Sequence, residues 1–204
     1  MSRAPQLCCS IDEAVVAIAE AAGRLKQVAR PVVAIAGAVG SGKSTLAARL
    51  TGSVVPTDNY LPDYERVPVD RRDEPDEADL ARLLANLTEL KETGRCVLPV
   101  WSFHEHRRVG ELEIRTEGLI VCEGLFALHP FLASAIDVRV LVRAPKDDRW
   151  ARWARLEAQG ERGWGEEHAR EHFNRVADPT FERHLSEYTT GLDILVENHS
   201  QSSR

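Results

Sequence analysis

The octapeptide Gly37-Ala38-Val39-Gly40-Ser41-Gly42-Lys43-Ser44 directly follows the wholly apolar, β-branched run Val32–Ala36. It fits G-x-x-x-x-G-K-[ST] at every specified position. Glycines at these steps let the backbone curl so that successive N–H groups point inward at phosphate oxygens. A helix opening at Ser44 adds its positive end to the same spot. The lysine can reach β- and γ-phosphates, and the serine hydroxyl can ligate Mg²⁺. A chain with a strand, this loop and a helix in that order is confined to a small set of α/β architectures. Gly37, Ala38, Val39, Gly40, Ser41, Gly42, Lys43, Ser44 and Thr45 are therefore the expected binding residues for ATP or GTP with Mg²⁺.

The rest of the chain reads as strands alternating with helices. Apolar runs at 32–36, 53–56, 119–122, 138–142 and 192–196 suit strands buried on both faces. Between them lie amphipathic segments over about 10–30, 77–90, 146–158, 166–176 and 179–188. The pattern predicts a mainly parallel five-stranded sheet with helices on both faces. Short strand candidates at 97–100 and 112–114 stand apart, and residues 61–76 read as a long loop with three prolines. With 204 residues, no linker and no repeat, one domain over 1–204 is expected, carrying a small helical lid at about 149–165.

A formal charge of −6 offers no global positive field, which argues against nucleic acid or an anionic membrane as partner. No apolar run approaches the roughly 20 residues that span a bilayer. The four cysteines form no C-x-x-C pair and read as reduced thiols of a cytoplasmic protein. The N-terminus has no secretory pattern, since Asp12 and Glu13 interrupt it. Whether the chain forms a homo-oligomer is left open.

A phosphate loop alone implies only nucleotide binding. Transfer to an acceptor needs groups that place its hydroxyl and manage the metal. Ligands of open α/β sheets sit at the carboxyl ends of strands, and Asp58 and Glu123 fall at two such ends. Either can hold Mg²⁺, with Ser44, and Asp58 can accept a hydroxyl proton.

Asp58–Tyr60, Asp73–Asp79, Pro99–Arg108 and Cys122–Leu125, in that order along the chain, resemble stretches of the uridine kinase and phosphoribulokinase-like family. Asp58-Asn59-Tyr60 looks like that family's D-x-F-Y. Asp73-Glu74-Pro75-Asp76-Glu77-Ala78-Asp79 is similar to its D-H-P-D-A-F-D. The segment from Pro99 to Arg108 resembles P-x-Y-D-F-x-x-H-x-R, and Cys122-Glu123-Gly124-Leu125 resembles F-E-G-I. The resemblance implies an ATP-dependent kinase acting on a small soluble acceptor, with a nucleoside first and pantothenate, a sugar phosphate or another vitamin-like alcohol behind it. It implies Asp58 as catalytic base and Mg²⁺ near Ser44, Asp58 and Glu123. It also implies acceptor contacts from Asp58, Tyr60, Asp73, Trp101, His106 and Arg108. Trp101 and Ser102 stand where the family has tyrosine and aspartate, which puts uridine itself in question.

Arg149, Arg152 and Arg155 recur every third residue, with Arg162 at a glycine-flanked break beyond them. Mobile guanidiniums suit the charge of a phosphoryl-transfer transition state, so Lys43, Arg152 and Arg155 join Asp58 as expected catalytic groups. Trp164 occupies a place where the family's lid usually has another arginine, and Trp150 and Trp153 read as packing residues. His168-Ala169-Arg170-Glu171-His172 matches H-x-x-E-H, an inverted zinc-peptidase pattern. It lies in a charged run that reads as a solvated helix face. The competing class is a nucleotide-hydrolysing switch that needs no acceptor.

Overall fold

The computed structural model describes residues 4–199. Its centre is a six-stranded sheet in the order β1-β8-β7-β2-β6-β3, in which every pairing is parallel. The strands are β1 (Gln6–Cys8), β2 (Val32–Ala36), β3 (Ser53–Pro56), β6 (Ile120–Gly124), β7 (Val138–Arg143) and β8 (Ile194–Glu197). Five of the six lie where the apolar runs placed them. The sixth, β1, corrects the expected five-stranded sheet. It is three residues long, with Leu7 exposed and only Cys8 buried, too short to show any periodicity.

Alternation along β2 assigns each face its own core. Val32, Ala34 and Ala36 pack with Leu83, Leu87, Phe181 and Tyr188. Val33 and Ile35 turn to the other side, against Ile18, Leu46 and Ala47. That second layer consists of α1 (Ile11–Gly23) and α2 (Lys43–Ala48). Helix α1 starts at a side-chain cap: Ser10 Oγ accepts from the Glu13 N–H at 3.1 Å, and a Glu13 carboxylate oxygen accepts from the Cys9 N–H at 2.8 Å.

On the first face, α3 (Leu80–Thr93) begins three residues later than its apolar pattern suggests, because Asp79 takes the cap by accepting from the Arg82 N–H. Gly94, at φ 76°, closes the helix. The next segment doubles back as the antiparallel hairpin β4 (Arg95–Ser102) and β5 (Arg107–Arg115), separate from the main sheet.

After β7 come α4 (Lys146–Ala158), a loop over 159–165, α5 (Glu166–His172), a single π turn (Phe173–Ala177) and α6 (Asp178–Tyr188). The pattern suggested two helices with a break near residue 177. The structure joins them, and Pro179 stands in the first turn of α6. Among the described residues, no helix is long and apolar enough to cross a membrane.

Candidate active site

The loop between β2 and α2 turns at Gly40 (φ 74°) and Gly42 (φ 99°), a region that side-chain-bearing residues avoid. Its outer carbonyls are held from behind. Arg152 Nη1 donates to the Gly40 and Ser41 carbonyls at 3.0 and 3.2 Å, and Asn198 Nδ2 donates to Ser41 O at 2.8 Å. Tying the carbonyls outward leaves the amides facing the opposite way.

Register brings three strand ends to this loop. Pro56 of β3 and Ile35 of β2 both pair with Glu123 of β6. Ser44 Oγ then donates to a Glu123 carboxylate oxygen at 3.1 Å, and Asp58 follows β3 in a short 3₁₀ turn (Thr57–Tyr60). Burial pushes the Asp58 carboxyl above its ordinary range; Lys43 and Arg162 pull against that, and Asp73 adds to it. Burial likewise raises Glu123, opposed by Lys43 and by the Ser44 hydrogen bond and reinforced by Asp58. Two carboxyls that are costly to ionise, beside a serine hydroxyl, form an oxygen donor set suited to a hard divalent cation. Among the described residues, no three His, Cys, Asp or Glu side chains gather into a metal-holding group. Phosphate oxygens and water would have to complete the shell of Mg²⁺ here, which is its usual habit.

Lys43 and Asp58 line one cleft. Asp73 lies on the same wall, 5% exposed, accepting from the Tyr64 hydroxyl at 3.0 Å through one oxygen. Its other oxygen is 3.0 Å from His172 Nε2. The hairpin supplies Trp101, Phe103 and His106. A bulge between Val100 and Trp101 re-aims the indole, whose N–H donates to Pro62 O at 3.2 Å. The His106 ring stacks on Tyr64 with centroids 5.7 Å apart and planes within 6°. From the far side, the loop after α4 brings Arg162, 3.8 Å over the Phe103 ring, and Trp164.

Of the expected site residues, Lys43, Asp58, Asp73, Trp101 and His106 meet in this one cleft, and Ser44 and Glu123 pair beside it. Four others are placed elsewhere. Tyr60 is wholly buried and gives its hydroxyl proton to Asn86 Oδ1 at 2.9 Å. Tyr64, four residues on, is the tyrosine that faces the cleft. Arg108 sits on β5 with its guanidinium 3.8 Å from the Asp79 carboxylate, outside the cleft. Arg152 is spent on the loop carbonyls, and Arg155 is exposed and lines no part of the cleft. Arg162 is the arginine beyond α4 that reaches it. Tyr60→Phe should accordingly lower stability by about 1–2 kcal/mol, through the stranded Asn86 oxygen, and leave acceptor KM unchanged. Chemical denaturation and steady-state kinetics on one preparation check both halves.

The H-x-x-E-H residues do not converge. His168 is exposed, Glu171 pairs with Arg175 at 2.7 Å, and His172 is buried against Asp73. The charged run conceals one inward residue, His172, whose burial only tertiary packing reveals. Trp153 packs against Phe173 and Trp164, as a packing residue should, while its edge also lines the cleft.

A family model described as phosphoribulokinase / uridine kinase matches residues 68–202. A uridine kinase of Lactobacillus helveticus is 27% identical over 181 residues, covering 81% of this chain and 85% of that protein. A structure from Silicibacter sp. TM1040, provisionally assigned as a fructose transport system kinase, superposes with a TM-score of 0.70 at 22% identity, covering 91% of this chain and 98% of that one. Phosphoribulokinase from Rhodobacter spheroides does so at 0.57 and 12% identity, with 86% and 73% covered. The match along the sequence, on a fold shared with these proteins, makes this chain a member of the phosphoribulokinase / uridine kinase family of P-loop kinases.

Proposed function

We propose that this protein transfers the γ-phosphoryl group of ATP to a hydroxyl of a small metabolite, with a nucleoside as the leading acceptor. One observation carries the reading: Lys43, Asp58 and Asp73 line a single cleft, so the phosphate-loop cation and two carboxylates face the same space. The amides of Gly37–Thr45 would cradle the phosphates, with Lys43 against the transferring group. Ser44, Glu123 and Asp58 would hold Mg²⁺, which when bound neutralises phosphate charge and orients the oxygens in line.

Asp58 is the base. It lines the cleft together with Lys43 and Asp73, and burial has already raised its affinity for a proton. A base of raised pKa is better matched to an alcohol proton than an ordinary carboxylate. Asp73, fixed by Tyr64 and His172, is pre-aimed to hold a second acceptor hydroxyl. Arg162 supplies positive charge opposite Lys43, and the loop over 159–165 acts as the lid that keeps water out.

The rings around the cleft support a nucleoside over the other acceptors. Tyr64, Trp101, Phe103, His106, Trp164 and His172 give the cleft flat apolar walls, which suit a planar heterocycle better than a flexible chain. The test is a panel of nucleosides, pantothenate, sugar phosphates and sugar alcohols with ATP or GTP, scored for phosphorylated product. Acceptor-dependent product supports the reading. Phosphate release that is indifferent to every acceptor would replace it with a nucleotide-hydrolysing switch.

A further inference from the structure

One wall of the cleft is built from a segment with little regular structure. Residues 61–76 carry three prolines and two short 3₁₀ turns, Tyr64–Arg66 and Val69–Arg71. With so few ladder bonds, such a segment relies on side chains to fix its path. Its front end is tied to the hairpin: the Tyr64 N–H donates to His106 O at 2.9 Å, and Asp63 Oδ1 accepts from the Arg108 N–H at 2.9 Å. Its rear end, Asp73-Glu74-Pro75, is tied to the helices beyond the lid loop.

The two carboxylates of that rear end go separate ways. Asp73 lines the cleft and meets His172 of α5. Glu74 lines no part of the cleft. One of its oxygens accepts from Arg183 Nη2, and the other is 3.2 Å from His184 Nε2, both on α6. Arg183 is itself ordered, since the same nitrogen donates to Thr180 Oγ1 at 2.8 Å. His184 stacks on the buried Tyr188 with centroids 6.1 Å apart, and its Nδ1 lies 3.8 Å from a Glu187 carboxylate oxygen. The Glu74 side chain is only 16% exposed, so water competes weakly for these bonds.

A lone bond from Asp73 to His172 sets a distance but leaves the heading of the backbone free. A second anchor on the very next residue removes that freedom, and Pro75 restricts the chain beyond it. Helices α5 and α6 run on through the π turn, so both anchors belong to one helical body. In the stretch similar to D-H-P-D-A-F-D, Glu74 takes the place of the histidine, which makes this clamp a feature of the present chain.

We propose that Glu74 is a positioning residue for the acceptor: clamped to Arg183 and His184, it holds the backbone so that the Asp73 carboxylate keeps its heading in the cleft. The inference rests on the proposed role of Asp73 in holding an acceptor hydroxyl. A loosened Asp73 binds the acceptor less well. The phosphate loop and Asp58 stand on other elements and keep nucleotide and base in place. A change that raises KM and spares kcat marks binding shared by ground and transition states.

Kinetics and amide exchange on the full-length protein test it together. With ATP and uridine, or whichever acceptor of the panel gives product, Glu74→Ala should raise acceptor KM about tenfold or more, with kcat and nucleotide affinity little changed. Glu74→Gln should restore KM, because its amide oxygen still accepts from Arg183 and its NH₂ can donate to neutral His184. Arg183→Ala, at a side chain 54% exposed, should raise KM alone yet add little to Glu74→Ala. Without any acceptor, Glu74→Ala should speed exchange of the Glu74 and Glu77 amides, which donate to Arg71 O and Glu74 O, and leave helix α2 unaffected. An unchanged KM overturns the inference, as does a loss shared equally by KM, kcat and nucleotide affinity, or full additivity of the two alanine variants. If no acceptor yields product, the kinase reading falls and exchange alone decides: faster exchange sustains the clamp, and unchanged exchange overturns it.

Discussion

Asp58→Asn should lower kcat by about 10²- to 10⁴-fold, the range a positioned general base contributes, with nucleotide affinity changed by no more than a few fold. The amide keeps the size and half of the hydrogen bonding of the carboxylate but cannot take a proton. The phosphate loop needs nothing from residue 58 to stay folded: Gly40 and Ser41 are held by Arg152 and Asn198. Calorimetric titration of the nucleotide beside single-turnover kinetics separates the two effects. A variant with near-normal turnover would remove Asp58 from the base role, and one that loses nucleotide binding would place the residue among the loop's supports instead.

The largest stability effect is expected away from the chemistry, at Asp178. Its carboxylate accepts from Arg149 Nη2 at 2.5 Å and pairs with Lys146 at 2.8 Å, tying the start of α4 to the start of α6. Arg149 is 5% exposed, and its Nη1 already lacks a partner. Asp178→Ala strands a buried guanidinium, which costs about 3 kcal/mol or more, or a drop of roughly 6–12 °C in Tm for a chain of this size. Replacing Arg149 and Asp178 together by Met and Leu should recover most of that loss, because no charge is left buried alone. Recovery absent from the double variant would mean that packing, rather than charge, sets the cost.

The same site has a pH signature. Burial alone would raise the Asp178 carboxyl, but the hydrogen bonds from Lys146 and Arg149 outweigh it and hold the folded-state pKa below the ordinary value of 3.8. A carboxyl depressed on folding contributes stability that is complete above its unfolded pKa and is lost as pH falls through the folded one. Wild-type stability should therefore fall below about pH 4, and Asp178→Ala should show a shallower decline over that window. Denaturation midpoints at stepped pH measure it.

Much of this was legible along the chain because local chemistry leaves local marks. The phosphate loop announces itself through glycines and a lysine that only an anion cradle needs together. Strand ends followed from apolar runs, and with them the pairing of Glu123 with Ser44. The arginines were misleading for a physical reason. Spacing every third residue gives Arg149, Arg152 and Arg155 similar headings, but it does not say which partner each finds. One meets Asp178, one meets loop carbonyls, and one is exposed. Arg162 and Trp164 arrive through a glycine-rich loop whose path no periodicity encodes. Tyr60 and Tyr64 are chemically alike, and only the turn between them decides which faces the cleft. His172 lay hidden in a charged run because six of the seven residues from Glu166 to His172 are polar or charged, and burial belongs to the fold rather than to the run.

The π turn at Phe173–Ala177 bears on how this wall of the cleft can change over time. His172 and Ala177 both line the cleft although five positions separate them. In a regular α-helix, five steps of about 100° would leave them some 140° apart. Bonding that reaches five residues back closes roughly one revolution over the same interval and stacks them on one side. The helix thus holds one residue more than its hydrogen-bond ladder needs, at some expense in ladder strength. Losing that residue would mend the ladder but rotate everything upstream away from the cleft. Single-residue length changes here should therefore be tolerated by the fold and rejected by function, whereas side-chain replacements at 172 and 177 can retune the wall while its geometry persists.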